Sequence, residues 1–168
     1  NMKGLFYRLE RDPVTGEITF TNNALLNISQ PTGNIKIETE GGKVSQKDEK
    51  GEFYNSFAYI NVAKMTGAEA PNDKIYFGSP YIKYEDEKIY AKDAWVTTDF
   101  NIVNFQKEPQ KAGYHLFSSD VLVEPDKQIT LKKSDLFIGE KDVMPFTFPW
   151  FRANIRSGST VPLFITIQ

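Results

Sequence analysis

Serine, histidine and aspartate, the residue types of a common nucleophilic catalyst, occur close together in residues 114–120, YHLFSSD. This segment contains the only histidine of the chain. Ser118, His115 and Asp120 are the types that form a Ser-His-Asp triad, in which the histidine takes a proton from the serine. A triad is defined by its geometry in space, however, and neighbours on an extended strand point to opposite faces. A neutral imidazole also has ordinary structural uses as a hydrogen-bonding group. We therefore expect His115 to be structural, and we assign no catalytic residue.

Paired carboxylates could also do chemistry, since a glycoside hydrolase needs two of them about 5–10 Å apart across a cleft. Acidic clusters occur at 38–40, 48–49 and 85–87, and each lies among lysines and turn residues. Clusters of this kind usually serve solubility on solvated loops. A hydrolase that uses loop carboxylates is therefore only our third hypothesis.

Metal and cofactor sites have no recognisable motif in the sequence. The absence of cysteine excludes disulfides, thiolate catalysis and cysteine-based zinc or iron–sulfur sites, and a single histidine excludes a histidine-rich site. The chain has neither the Asp-x-Asp-x-Asp-Gly spacing of a calcium loop nor the glycine-rich GxGxxG and GxxxxGK[ST] phosphate loops. We predict no metal and no cofactor.

Most of the chain alternates apolar and polar residues, which is typical of β-strands. Two hairpins are clearest: 5–20, with the turn residues DPVTG at 12–16, and 116–132, with EPDK at 124–127. The pattern predicts one or two helical turns or an irregular crossing at 22–30.

Two further segments are predicted from their local pattern. Residues 134–141 predict a single helical turn capped by Ser134. Residues 53–65 carry apolar groups at both odd and even positions, which indicates a strand covered on both faces. The first set is Phe53, Phe57 and Tyr59, and the second is Tyr54, Ala58, Ile60 and Val62.

We predict one domain over residues 1–168, long enough to bury a sizeable core. Strand patterns recur throughout, and no helical periodicity is sustained. The predicted fold class is all-β, either an antiparallel β-sandwich of jelly-roll type or a partly open barrel, with at most one or two short helical turns.

The densest aromatic segment is 145–152, PFTFPWFR. Aromatic residues and arginine dominate interface hot spots because they remove much surface from water and keep a polar group. The alternative is that Phe146, Phe148 and Trp150 share one core-facing side of a strand, whereas Phe151 and Arg152 are expected to face a partner. The interface candidates are Phe148, Trp150, Phe151, Arg152, Arg156 and Phe164.

The segment 161–167, VPLFITI, is uncharged and strongly β-prone, so it would promote aggregation as a bare edge strand. Pro162 near its start permits a central place in the sheet. The other possibility is that a neighbouring subunit pairs with it or packs on it.

A second aromatic set would suit stacking on sugar rings, although tyrosine is also a common strand residue. The sugar-stacking candidates are Tyr76, Tyr81, Tyr84, Tyr90 and Trp95.

The charge balance argues against nucleic acid as a partner. Twenty Lys and Arg stand against 22 Asp and Glu, which gives a net charge of −2 and a pI near 5.5. No positive field therefore attracts polyanions. No apolar run has the length of a membrane span, and we see no leader, so we expect a soluble chain made in the cytoplasm and then assembled into a particle.

Three functions follow in order of preference. The first is a non-enzymatic structural subunit, such as a virion, phage-tail or surface-array component, that contacts copies of itself in a homo-oligomer or other assembly proteins. The alternative is a carbohydrate-binding module or lectin-like domain, and the third is the hydrolase.

Overall fold

The computed structural model describes residues 2–5, 8–30, 33–61, 74–103, 107–125 and 127–154. They form eleven strands and two short 3-10 turns, Phe100–Val103 and Pro109–Lys111. The strands are β1 (Met2–Leu5), β2 (Arg8–Arg11), β3 (Ile18–Gln30), β4 (Gly33–Ser45), β5 (Lys50–Asn61), β6 (Lys74–Glu85), β7 (Lys88–Thr97), β8 (His115–Glu124), β9 (Gln128–Ile138), β10 (Lys141–Asp142) and β11 (Phe148–Asn154).

All eleven strands belong to one antiparallel sheet. From β3 to β9, strands that follow each other in sequence are hydrogen-bonded neighbours, so the sheet is a meander. At one edge β1 and β2 both pair with β3, and at the other β10 and β11 both pair with β9. The described strands are not closed into a barrel. The predicted antiparallel all-β class with only short helical turns is confirmed.

One face of this sheet, the inner face, carries the core. Phe20, Phe53 and Phe77 are at most 1 % exposed. The same core cluster extends to Phe151 and Ala153 in the last described strand. Burying so many apolar side chains is the main favourable contribution to folding.

In the strands from β4 to β9 and in β11, the alternation of side chains between the two faces changes at one residue, and these residues form a line across the sheet. In β5 the inner-face residues Phe53 and Ser56 are three apart instead of two, and the same step separates Phe148 and Phe151 in β11. Between β4 and β11 the registers on either side of this line agree, so the residues on it lie opposite one another. We call them the break line: Glu40, Asn55, Pro80, Asp93, Ser119, Lys133 and Pro149.

Backbone conformation explains the change of face. Asn55, Asp93 and Lys133 have φ of 49°, 48° and 50°. Asn and Asp adopt this left-handed region more readily than other non-glycine residues. A residue in this conformation interrupts the pleat, and here it recurs in every second strand. The strands from β4 to β9 and β11 therefore all exchange their inward-facing and outward-facing positions at the same level of the sheet.

A row of small hydroxyl residues lines the inner side of the break line: Thr39, Ser56, Ser79, Ser118 and Ser134. The Thr39 hydroxyl donates to the Tyr54 carbonyl (2.8 Å) and accepts from Ser56 Oγ (2.8 Å). Ser118 Oγ and Ser134 Oγ are 2.7 Å apart. Since buried carbonyls left without a partner are destabilising, these hydroxyls compensate for the interrupted ladder.

The opposite, outer face has a small apolar cluster of its own. Phe57, Tyr76, Ile102 and Ala112 form it, with Tyr59 and Trp95 packed against it. Ile102 belongs to the first 3-10 turn and Ala112 follows the second, so the residues at these two turns cover this part of the sheet.

The two predicted hairpins are confirmed as β2–β3 and β8–β9. The helical turns or irregular crossing predicted at 22–30 and the helical turn predicted at 134–141 are wrong, because residues 22–30 lie in β3 and residues 134–138 lie in β9. In β3 the register shifts between Thr21 and Ala24, which disturbs the alternation that the sequence would show. In β9 the break at Lys133 has the same effect.

The strand predicted at 53–65 is β5 as far as Asn61, and it is covered on both faces as expected. The grouping of its side chains was wrong, because Phe53 is in the core with Ala58 while Phe57 is on the outer face. The break at Asn55 separates them. Residues 62–65 lie outside the described part of the chain.

Candidate binding groove and C-terminal edge

An open groove of about 830 Å³ runs along the outer side of the break line. Break-line residues from β4 to β7 line one side, and residues of the outer face line the other. The side chains that concern us are Glu40, Asn55 and Asp93 from the break line and Glu38, Phe57, Trp95 and Lys107 from the outer face. The break therefore creates this groove, because it turns polar residues outward beside aromatic ones.

Trp95 lies across a glycine. Gly78 pairs with Phe57 on one side and Trp95 on the other, and a Cβ on Gly78 would be 2.4 Å from the indole. Only glycine at position 78 lets the indole lie this close to the backbone of β6. The indole rests there with its centroid 5.7 Å from that of Phe57, and Trp95 is half-buried. Its accessible part belongs to the groove wall.

The polar groups of the groove are partly fixed by one another. Asn55 Nδ2 donates to Glu40 Oε2 at 2.9 Å. Lys107 forms an ion pair with Glu38, and its ammonium lies 5.0 Å from the Phe57 ring centroid. Burial lowers the pKa of Lys107. Asp93 is exposed at its break position.

The five sugar-stacking candidates do not form one surface. Tyr84 is a core residue and Tyr76 is buried in the outer cluster. Neither therefore offers the free ring face that stacking on a sugar requires. In an unbroken strand Tyr76 and Tyr84 would face the same side. The break at Pro80 lies between them, so Tyr84 faces inward although Tyr76 faces outward. Tyr90 is 38 % exposed but does not line the groove. Only Trp95 of the five lies in the groove.

Tyr81 is held by a carboxylate outside the groove. Its hydroxyl donates to Glu52 Oε1 at 3.0 Å, and its ring is 6.0 Å from that of Tyr54. Burial and the bond to Glu52 raise the pKa of Tyr81 to about 12.

The interface candidates are divided between the two faces of β11. Phe148 packs against the core, and Phe151 is 4 % exposed. The expectation that Phe151 faces a partner is therefore wrong, because the break at Pro149 turns it inward. Trp150 and Arg152 point outward, and the Arg152 guanidinium lies 5.3 Å from the Trp150 ring centroid. This pair is the outer surface of the strand.

Exposed apolar side chains concentrate near this edge. Of nine large hydrophobic residues exposed in the described chain, four are on β8, on β9 or between β9 and β11: Phe117, Ile138, Val143 and Phe146. Phe146 is 58 % exposed and Ile138 57 %. We call these four, with Trp150 and Arg152, the C-terminal edge surface.

Two interface candidates, Arg156 and Phe164, and the β-prone segment 161–167 lie outside the described residues.

The histidine does not form a triad with its neighbours. His115 faces the outer side of β8, where its ring stacks on Phe137 at 4.9 Å, whereas Ser118 faces the core and bonds to Ser134. Nδ1 of His115 has no partner. Burial lowers the pKa of His115, against a smaller opposite effect of a hydrogen bond to the Pro109 backbone.

Within the described ranges, no helix is long and apolar enough to cross a membrane. No group of three or more potential metal-binding side chains occurs there either.

Sequence comparison gives no relative from which a function could be transferred. No protein-family model matches the chain, and no curated protein is significantly similar to it.

Proposed function

We propose that this protein is a non-enzymatic structural subunit that associates with further copies of itself through the C-terminal edge surface. The observation that carries this proposal is the concentration of exposed apolar residues at one edge of an open sheet, above all Phe146 and Ile138. Large apolar side chains that are exposed together in one part of a protein often mark a contact with another protein.

The chemistry of the edge supports the same function. Trp150 and Arg152 are of the types that contribute most to binding at interfaces, and they lie in contact on the outward side of β11. Among the described residues β11 is the last strand at this edge, and edge strands are places where a partner chain can add a strand.

Native mass measured over a range of concentrations tests the proposal. We expect a mass that rises above the 19.2 kDa of one chain as concentration increases. The double variant Ile138→Asp with Phe146→Asp should remain monomeric, because charge at both positions opposes burial in a contact.

The matched control is Val14→Asp with Val103→Asp, which places the same charges on residues that are 91 % and 51 % exposed elsewhere. This control should associate as the unmodified protein does. A monomer at every concentration, or equal association of the edge variant and the control, would contradict the proposed function.

A further inference from the structure

We propose that the groove on the outer side of the break line binds a neutral oligosaccharide chain, with Trp95 as the platform for one sugar ring. This inference does not depend on self-association, since the groove lies on β3 to β7 and the C-terminal edge surface on β8 to β11.

The shape of the groove suits an extended ligand. It crosses five neighbouring strands, which is roughly 19 Å at about 4.8 Å between strands. Its volume of about 830 Å³ lies in the usual range for small-molecule sites. A short chain of sugar rings fills such a space better than a single compact ligand.

The aromatic wall provides the apolar contact that one face of a sugar ring needs. Trp95 rests on Gly78 and is supported laterally by Phe57, so the indole is held in place before a ligand arrives. A platform fixed in advance loses little entropy on binding. Phe57 itself is 7 % exposed and acts as support rather than as a second platform.

The break-line side provides hydrogen-bonding groups of both kinds. Glu40 and Asp93 offer carboxylate oxygens as acceptors, and Asn55 offers an amide with both donor and acceptor atoms. Sugar hydroxyls donate and accept, so this mixture matches them. The bond between Asn55 and Glu40 keeps these two side chains oriented.

Charge selects among carbohydrates. The groove contains the carboxylates of Glu38, Glu40 and Asp93, while its one lysine, Lys107, is paired with Glu38. The remaining charge is negative and repels phosphate, sulfate and uronic acid groups. Neutral chains are therefore the ligands that fit.

Tryptophan fluorescence and calorimetric titration test the site with neutral gluco-, manno- and chito-oligosaccharides as probes. In a Trp150→Phe background, Trp95 is the only tryptophan, so a saturable change in emission reports on the groove. Because a stacking residue is typically a hot spot, Trp95→Ala should weaken binding about tenfold or more.

A second variant covers the case in which removal of Trp95 disturbs folding. Asp93→Gly keeps the backbone at φ 48° without strain and removes one carboxylate, so it should weaken binding while the fold persists. Tyr90→Ala is the control, since it removes an exposed aromatic residue of the same strand outside the groove, and it should bind normally.

Three outcomes would overturn the inference. The first is no saturable binding of any probe at millimolar concentration. The second is binding that Trp95→Ala and Asp93→Gly leave unchanged. The third is tighter binding of sulfated or uronic-acid chains than of neutral ones.

Discussion

His115 is the only histidine of the chain and is 7 % exposed, so it determines how stability responds to pH between about 5 and 7. Burial lowers its pKa in the folded state from the ordinary value of 6.5. Below pH 6.5 the unfolded chain binds a proton there that the folded chain does not. Folding stability should therefore fall as pH decreases through this window.

The measurement is the midpoint of urea unfolding at several pH values for the unmodified protein and for His115→Gln. Glutamine keeps an N–H donor for the Pro109 carbonyl but does not titrate. The variant should show a flatter pH dependence between pH 7 and 5. Equal slopes for the two proteins would contradict this account of His115.

Acidic groups act in a different window. Hydrogen bonds to Lys92 and Ser119 lower the pKa of Asp120, and the Gln128 amide has the same effect on Glu124. Their contribution is present above their ordinary pKa values and is lost below them as these carboxylates protonate. The histidine and carboxylate effects can therefore be separated.

At the scale of the strand, the hydroxyls along the break line replace part of the hydrogen bonding that the break removes. Ser79 is the clearest case, because its Oγ donates to the Tyr81 carbonyl at 2.7 Å and also contacts the Lys92 carbonyl. Ser79→Ala would leave both carbonyls short of a partner in a buried place.

We expect Ser79→Ala to lower the free energy of unfolding by about 1–3 kcal/mol. Thr19→Ala, at an exposed position of β3, should change it by about 0.5 kcal/mol or less. Chemical denaturation of both variants measures the difference. A loss for Ser79→Ala no larger than that of Thr19→Ala would show that the hydroxyl row does not support the break.

The break line also explains which elements could be predicted from the sequence. The β2–β3 and β8–β9 hairpins could, because turn residues such as 12–16 are local signals. The faces of β5 and β11 could not, because a single break residue, Asn55 or Pro149, reverses the alternation and leaves no unambiguous mark in the sequence. Phe151 was placed outside for this reason.

The groove was missed for the same reason. Trp95 stands out in the sequence as an aromatic candidate, whereas nothing in the local pattern marks Glu40, Asn55 and Asp93 as binding residues. A step of three between inward positions, as from Phe53 to Ser56, was the available signal. This three-residue step becomes recognisable only when neighbouring strands are aligned in register, so that the steps are seen to lie opposite one another.

At the scale of the whole molecule, the sheet has two different surfaces for binding. The groove belongs to its middle strands, and the C-terminal edge surface belongs to its last strands. The two surfaces adjoin at Phe117, which is the cross-strand neighbour of Trp95. An association centred on Ile138 and Phe146 would leave the groove accessible. Oligomerisation could then present several grooves together, which increases avidity for a repeating ligand.

Symmetry limits the geometries in which copies of this chain can associate. A contact in which the edge surface meets its own counterpart closes as a dimer, whereas a contact with a different surface continues into a ring or an open array. The mass series described above distinguishes the two, since it stops at twice the monomer mass in the first case.

Hydrogen exchange at β11 is the most direct test of the central claim. We predict that amides in Phe148–Asn154 exchange more slowly at high than at low protein concentration, while those in Lys88–Thr97, inside the sheet, do not change. Exchange at β11 that is independent of concentration, in samples whose mass shows association, would contradict the assignment of this edge as the contact surface.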